Sequence, residues 1–160
     1  MRLNLVRAPG IRTPPAVEPV LEALARRLAP SWLRVQVVLA DDAHLRRLNR
    51  EFRDLDRTTD VLSFLYESTP STRSDEPGAE LYVSLPRARV QARQRRHSIG
   101  REVVLLALHG MLHLQGHDHE RPVQARRMRA AEQPHLRWLV RRCGWSPVEP
   151  LVPESGTGRE

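Results

Sequence analysis

The sequence is poor in cysteine, contains no lysine and has no long apolar run. Its single cysteine, Cys143, excludes an intramolecular disulfide framework and any zinc site built from several thiolates. The longest apolar run, VVLLAL at 103–108, is much shorter than a bilayer requires and is typical of a buried helix. The first ten residues carry a charge inside their short apolar stretch, unlike a secretory signal. These absences favour a cytoplasmic protein without a membrane span.

Positive charge dominates the remaining composition. All 26 basic residues are arginine, and the formal net charge is +7 at pH 7. Arginine suits phosphate because its planar guanidinium binds two oxygens at once and stays charged. A base-rich genome also replaces lysine by arginine without functional meaning, so the missing lysine alone identifies no ligand. The excess of positive charge nevertheless favours a polyanionic partner.

The pattern of apolar residues predicts an α+β fold. A chain of 160 residues is expected to form one domain. Alternating apolar and polar residues predict four strands, at 3–6, 32–40, 61–66 and 79–85. Helical spacing predicts four to five helices, the clearest of which begins after Ser98 and runs through the apolar run. We therefore expect a four-stranded mixed sheet packed with these helices.

Two segments lack such patterns. Residues 67–78 are rich in Ser, Thr, Pro and Gly, which predicts a mobile loop. From Ser146 the composition turns to Pro, Gly, Glu and Ser. We therefore predict a single domain over residues 1–145 and a disordered tail over residues 146–160.

Four of the seven histidines lie within HGMLHLQGHDH, residues 109–119. His109 and His113 are four residues apart, which places both imidazoles on one face of a helix, about 6 Å apart along its axis. Gly116 can adopt the left-handed conformation that ends a helix, so the chain can fold back and bring His119 to the same point. We therefore predict a metal site at the C-terminal end of this helix, with His109, His113 and His119 as ligands.

Three imidazole ligands leave one tetrahedral position for water, which is the pattern of catalytic rather than structural zinc. Such a site lowers the pKa of its water to about 7. His117 is left outside the ligand set, because its direction after Gly116 is not set by the helix. Asp118 either orients an imidazole or is a solvated loop acid. The other histidines are predicted to lie at the surface: His44, His97 and His135.

The spacing His-x3-His-x2-Gly-x2-His is that of the metzincin proteases, with one difference. Those enzymes have a glutamate directly after the first histidine as general base, and this chain has Gly110 there. Glycine supplies neither a base nor a proton shuttle. Peptide hydrolysis by that route is therefore disfavoured, although a base from elsewhere in the chain would restore it.

The same eleven residues resemble the YbeY family of bacterial endoribonucleases, whose pattern is His-Gly-x-Leu-His-Leu-x-Gly-(Tyr or His)-Asp-His. Three outer blocks resemble the family in order and spacing: LNREFR at 48–53, TTDVLSF at 58–64 and AELYVSL at 79–85. The resemblance extends from about residue 32 to residue 145. The outer blocks are individually weak, but the histidine block is specific.

This resemblance implies a zinc-dependent, single-strand-specific endoribonuclease that acts in 16S rRNA 3′-end maturation and ribosome quality control. It implies one Zn²⁺ on His109, His113 and His119 and a functional role for Arg53. Its partners would be single-stranded rRNA and the ribosome. The chain departs from the family pattern at Asp54, where glycine is usual, at Leu65, where proline is usual, and at Ala79-Glu80, where Gly-Asp is usual.

Two other functions stay open from the sequence. A metallohydrolase acting on peptides or small molecules is compatible with the metzincin-like spacing. A non-catalytic ribosome assembly factor is compatible with a structural metal and a basic surface that binds rRNA.

Overall fold

A computed structural model describes residues 2–28, 34–66 and 78–147. The chain divides into two compact units, Met1–Leu114 and Gln115–Glu160. The elements of the first unit are, in order, β1 (Arg2–Arg7), α1 (Val17–Leu28), β2 (Arg34–Ala40), α2 (Asp42–Arg53), β3 (Val61–Tyr66), β4 (Gly78–Ser84), α3 (Leu85–Arg95) and α4 (Ile99–Leu114). The second unit contains α5 (Pro122–Cys143).

The four strands form one mixed sheet in the order β1-β2-β4-β3. β1 pairs with β2 and β2 with β4 in parallel, whereas β3 and β4 are antiparallel. The crossover from β1 to β2 passes through α1, as parallel neighbours require. In β2 and β4 the buried residues include Val35, Val37, Leu39, Leu81 and Val83, which share one face of the sheet because side chains alternate along a strand.

The central helix α4 packs against that face of β3 and β4 and also against α1 and α3. Every residue from Arg101 to Leu108 is buried, as are Gly110, Met111, Leu112 and Leu114. A helix that is apolar around nearly all of its circumference belongs in a core. The Ser98 hydroxyl accepts a hydrogen bond from the Arg101 amide at 3.1 Å, which satisfies an amide in its first turn.

Helix α2 covers part of the opposite sheet face. Asp41 caps it, since its carboxylate accepts a hydrogen bond from the His44 amide at 2.8 Å. Leu45 packs with Ala40 and Leu62 in a small second core. The helix ends at Arg53, followed by Asp54 in the left-handed conformation with φ 55°.

The second unit is built on α5, a continuous helix in spite of the internal Pro134. The Gln124 side chain accepts a hydrogen bond from the Arg121 amide at 3.1 Å at its start. Its buried residues recur every three or four positions, as in an amphipathic helix: Ala125, Met128, Glu132, Leu136 and Leu139. Within the described residues, no helix is both long and apolar enough to cross a membrane.

The predicted α+β architecture, with a four-stranded mixed sheet and four to five helices, is confirmed. The expectation of a single domain over residues 1–145 stays a prediction. The predicted mobile loop at 67–78 lies outside the described residues except for Gly78, which begins β4. Of the predicted tail, only Ser146 and Pro147 lie within them.

Candidate metal centre

Two of the predicted ligands lie in the last two turns of α4. The Nε2 atoms of His109 and His113 are 3.1 Å apart, and their ring centroids are 4.6 Å apart with an interplanar angle of 84°. Both side chains are half-buried. The helix therefore turns two imidazole nitrogens toward a common point, as the i, i+4 spacing predicts.

The third histidine follows soon after α4. Gly116 has φ 90°, the left-handed conformation predicted for it after the helix end. Asp118 then accepts a hydrogen bond from the backbone amide of His119 at 2.6 Å, so this carboxylate orders the main chain at that residue. One ring nitrogen each from His109, His113 and His119 lies within 4.8 Å of the others. His117 is not a member of this group.

The geometry of the group fits a divalent metal ion. Zinc–imidazole bonds of about 2.0–2.1 Å at tetrahedral angles place two ligand nitrogens roughly 3.3 Å apart. The separation of 3.1 Å between the His109 and His113 nitrogens is close to this spacing. The three histidines could therefore hold a metal ion with little rearrangement of α4.

Gly110, next to the first histidine, is required by packing. A Cβ atom at this position would lie 2.3 Å from Cδ2 of Leu81 and 3.0 Å from both the Ser63 hydroxyl and Cγ2 of Val61. The residue is buried where α4 approaches β3 and β4. The position that holds the general base in metzincins is thus directed into the sheet, where no side chain fits.

Arg53 is the last residue of α2 and is exposed. Its guanidinium donates a hydrogen bond to the Ser63 carbonyl at 3.3 Å, and its Cζ atom lies 5.8 Å from the centroid of the Phe64 ring. Asp54 follows with φ 55°, a conformation favoured by glycine and tolerated by aspartate. The departure from the family glycine at this position therefore leaves the turn after Arg53 intact.

Ser63 was not singled out from the sequence, although it contacts both parts of the site. Its carbonyl accepts from Arg53, and its hydroxyl donates to the Gly110 carbonyl at 3.1 Å. Gly110 directly follows His109, so Ser63 links the arginine to the turn of α4 that carries His109. A polar residue in an apolar strand, together with a glycine in an apolar helix, was the available sequence signal.

One surface assignment was wrong. His97 was predicted to be exposed, but its side chain retains only 10% of its accessible surface. Its Nε2 atom lies 2.5 Å from the carboxylate of Glu102, which is fully buried in α4, and Arg95 lies 3.5 Å from the same carboxylate. Burying a carboxylate requires partners of this kind, and they join the end of α3 to the start of α4.

Fold and site together define an α+β protein with a three-imidazole candidate metal site at the end of its central helix. The sequence profile described as Endoribonuclease YbeY matches residues 12–139. Endoribonuclease YbeY of Solibacter usitatus is 44% identical over 136 residues, covering 84% of this chain and 83% of that protein. The Heliobacterium modesticaldum protein of the same name is 35% identical over 147 residues, covering 80% and 89% of the two chains. This chain belongs to the YbeY endoribonuclease family.

Proposed function

We propose that this protein is a zinc-dependent, single-strand-specific endoribonuclease that acts in 16S rRNA 3′-end maturation and ribosome quality control in the cytoplasm. The single observation that carries the proposal is the group of three imidazole nitrogens within 4.8 Å of one another. Family membership supports RNA as the substrate. The net charge of +7 suits a polyanion and, with it, association with the ribosome.

His109, His113 and His119 would hold one Zn²⁺ per chain. When bound by three neutral imidazoles, zinc supplies Lewis acidity and an activated water for attack on a phosphodiester. The chain's contribution is to hold the two helical imidazoles at fixed separation, since α4 is buried on nearly all sides. The Asp118 carboxylate, bonded to the His119 amide at 2.6 Å, holds the backbone that carries the third ligand.

Arg53 is proposed to bind the scissile phosphate. A guanidinium donates paired hydrogen bonds to two phosphoryl oxygens and stabilises the charge that develops on them, without acting as a base. Its exposure and its bond to Ser63 support this role, because the group is anchored yet accessible.

Cleavage of a single-stranded RNA by zinc-loaded protein tests the proposal directly. We expect cleavage to stop with a chelator and to return with zinc. The His113→Ala variant should lose both zinc and activity, whereas His117→Ala, outside the histidine group, should keep both. Full zinc content and full activity in His113→Ala would refute the metal assignment.

The Arg53 role needs a separate comparison, at equal zinc content. Arg53→Ala should lower kcat/KM for RNA by about 100-fold, within the range expected for one electrostatic group at a reacting centre. Arg26→Ala, which removes an exposed arginine of α1 paired with Glu22, serves as the control of equal charge. Wild-type kcat/KM in Arg53→Ala would remove this residue from the proposal.

The same assays separate the alternative functions. Chelator-sensitive cleavage of a protein substrate, without cleavage of RNA, would indicate a metallopeptidase. Zinc retention and RNA binding without any cleavage would indicate a non-catalytic assembly factor.

A further inference from the structure

The sheet face opposite α4 gathers all the phenylalanine and tyrosine of the chain. The sequence has only two residues of each type: Phe52, Phe64, Tyr66 and Tyr82. Phe64 and Tyr66 alternate with Ser63 in β3, so they point away from α4, and Tyr82 pairs with Leu62 on the same face. Phe52, near the end of α2, lies against Phe64 with ring centroids 5.5 Å apart. These four residues are called the aromatic face below.

The rings form a continuous series. Phe64 packs edge to face against Tyr82 at 5.9 Å, and Tyr82 stacks on His44 at 5.8 Å with an interplanar angle of 23°. Arg53 lies over the Phe64 ring. The series therefore begins beside the arginine proposed to bind phosphate.

The outer rings are exposed far more than core packing requires. Phe52 retains 61% of its accessible surface and Tyr66 retains 49%. The small second core of Ala40, Leu45 and Leu62 packs only the inner part of this face, with Phe64 and Tyr82 half-buried at its margin. Clustered exposed aromatic rings beside arginines are a feature of surfaces that bind single-stranded nucleic acid.

Two opposite charges adjoin Phe64 on the aromatic face: Glu80 is its cross-strand partner in β4, and Arg53 lies over its ring. Both tyrosine hydroxyls donate to the same carboxylate oxygen of Glu80, at 2.8 Å from Tyr66 and 2.7 Å from Tyr82. The carboxylate repels phosphate, whereas the Arg53 guanidinium attracts it. A strand bound here would thus place a phosphate at Arg53, at the end of α2, and its uncharged bases over the rings and Glu80.

We propose that the aromatic face binds the unpaired bases of single-stranded RNA next to the cleaved phosphate, with Phe52 as the outermost stacking ring. This inference rests on the proposed function and adds to it the contact that selects unpaired strands. Bases held in a duplex cannot present their faces to protein rings, whereas splayed bases can. Stacking is tolerant of base identity, so we expect preference for single strands rather than for one sequence.

Binding of a labelled single-stranded DNA oligonucleotide, followed by fluorescence anisotropy, tests this inference without cleavage. Stacking requires only a base, so DNA is a suitable probe. Phe52→Leu keeps an apolar side chain but removes the ring, and we expect binding to the zinc-loaded variant to weaken about 5- to 10-fold. Phe52→Trp should bind as wild type does. Val90→Ala, which trims a side chain 54% exposed on α3, is the matched control and should bind as wild type does.

An abasic strand of equal length separates stacking from charge. Wild type should bind the abasic strand more weakly than the normal strand. The Phe52→Leu variant should bind the abasic strand as wild type does. Equal affinity of wild type and Phe52→Leu for the normal strand, or an equal loss with both strands, would overturn the aromatic face. The absence of any binding of the normal strand by wild type would also overturn it.

Failure of the proposed function has a different signature. Zinc-loaded wild type that binds the strand through Phe52 but cleaves no RNA would refute the endonuclease and leave the aromatic face standing. If wild type cleaves RNA and the KM for RNA is unchanged in Phe52→Leu, the endonuclease stands and the aromatic face is refuted. Phe52 is preferred to Phe64 for these tests because Phe64 also contacts Arg53 and the second core.

Discussion

The Ser63 hydroxyl donates a hydrogen bond to the Gly110 carbonyl at 3.1 Å, joining the edge strand β3 to the central helix α4 across 47 residues of sequence. The carbonyl of the same serine accepts from Arg53 at 3.3 Å. One strand residue therefore contacts both the arginine and the turn of α4 that carries the first two histidines. This relationship accounts for a polar side chain on a sheet face that is otherwise packed with Val and Leu.

Ser63→Ala should reduce RNA cleavage more than its effect on stability would explain. We expect the free energy of unfolding to fall by about 0.5–1.5 kcal/mol, the net value of one hydrogen bond, and kcat for RNA to fall as the spacing between Arg53 and α4 relaxes. Urea unfolding and steady-state cleavage measure the two effects. Ser98→Ala removes the cap at the other end of α4 and should cost about 1 kcal/mol with kcat unchanged. Equal kcat in the two variants would contradict the role given to Ser63.

Gly110→Ala should destabilise the protein although alanine is the better helix former. The propensity gain is about 1 kcal/mol, but the new methyl group would lie 2.3 Å from Leu81. Overpacking of this kind costs about 1–3 kcal/mol. Thermal unfolding of Gly110→Ala, Leu81→Ala and the double variant forms a cycle in which the shortened Leu81 should relieve most of the cost. An increase in stability of Gly110→Ala would show that the helix and sheet are not in close contact there.

The two left-handed residues that end α2 and α3 should respond differently to glycine. Arg96 has φ 57° and Asp54 has φ 55°. The left-handed conformation costs an ordinary residue about 1–2 kcal/mol, but aspartate less, and glycine gives back about 0.4–1 kcal/mol through the unfolded chain. Arg96→Gly should therefore raise the free energy of unfolding, whereas Asp54→Gly should change it little. Urea denaturation gives both values, and the opposite ranking would contradict this account.

The tyrosine hydroxyls of the aromatic face should ionise at a higher pH than an ordinary tyrosine does. Burial and then the hydrogen bond to Glu80 raise the pKa of Tyr66 from 10.0 to about 12, and the same causes raise the pKa of Tyr82. Because the folded state holds these protons more tightly than the unfolded chain, their contribution to stability is complete below pH 10.0 and is lost as the pH rises toward 12. Tyrosinate absorbance measures the ionisation. Glu80→Gln should lower both pKa values while leaving them above the ordinary value, since burial persists, and unchanged titration in this variant would remove Glu80 as a cause.

Sequence patterns predicted the elements that depend on local signals. The start and end of α4 were predicted correctly from the Ser98 cap, the apolar run and Gly116. The i, i+4 spacing predicted the approach of His109 and His113. These features depend on the periodicity of one helix and on its ends. They involve no distant part of the chain.

Features that depend on distant contacts were not predictable in the same way. The packing reason for Gly110 requires the position of Leu81, which is known only once β4 lies beneath α4. The burial of His97 depends on Glu102 facing it from the next helix. The exposure of Phe52 depends on where β3 lies beside the end of α2, since the ring contacts Phe64 yet remains 61% exposed.

The burial of α4 also affects which part of the candidate site opens first when the structure fluctuates. Because most of its residues are buried, we expect its amides to be among the slowest of the first unit to exchange with solvent. Arg53, at an exposed helix end, can release its bond to Ser63 through local fraying alone. The histidine pair on α4 is therefore the more rigidly held part of the candidate site, and Arg53 is the part that can move without disturbing the fold.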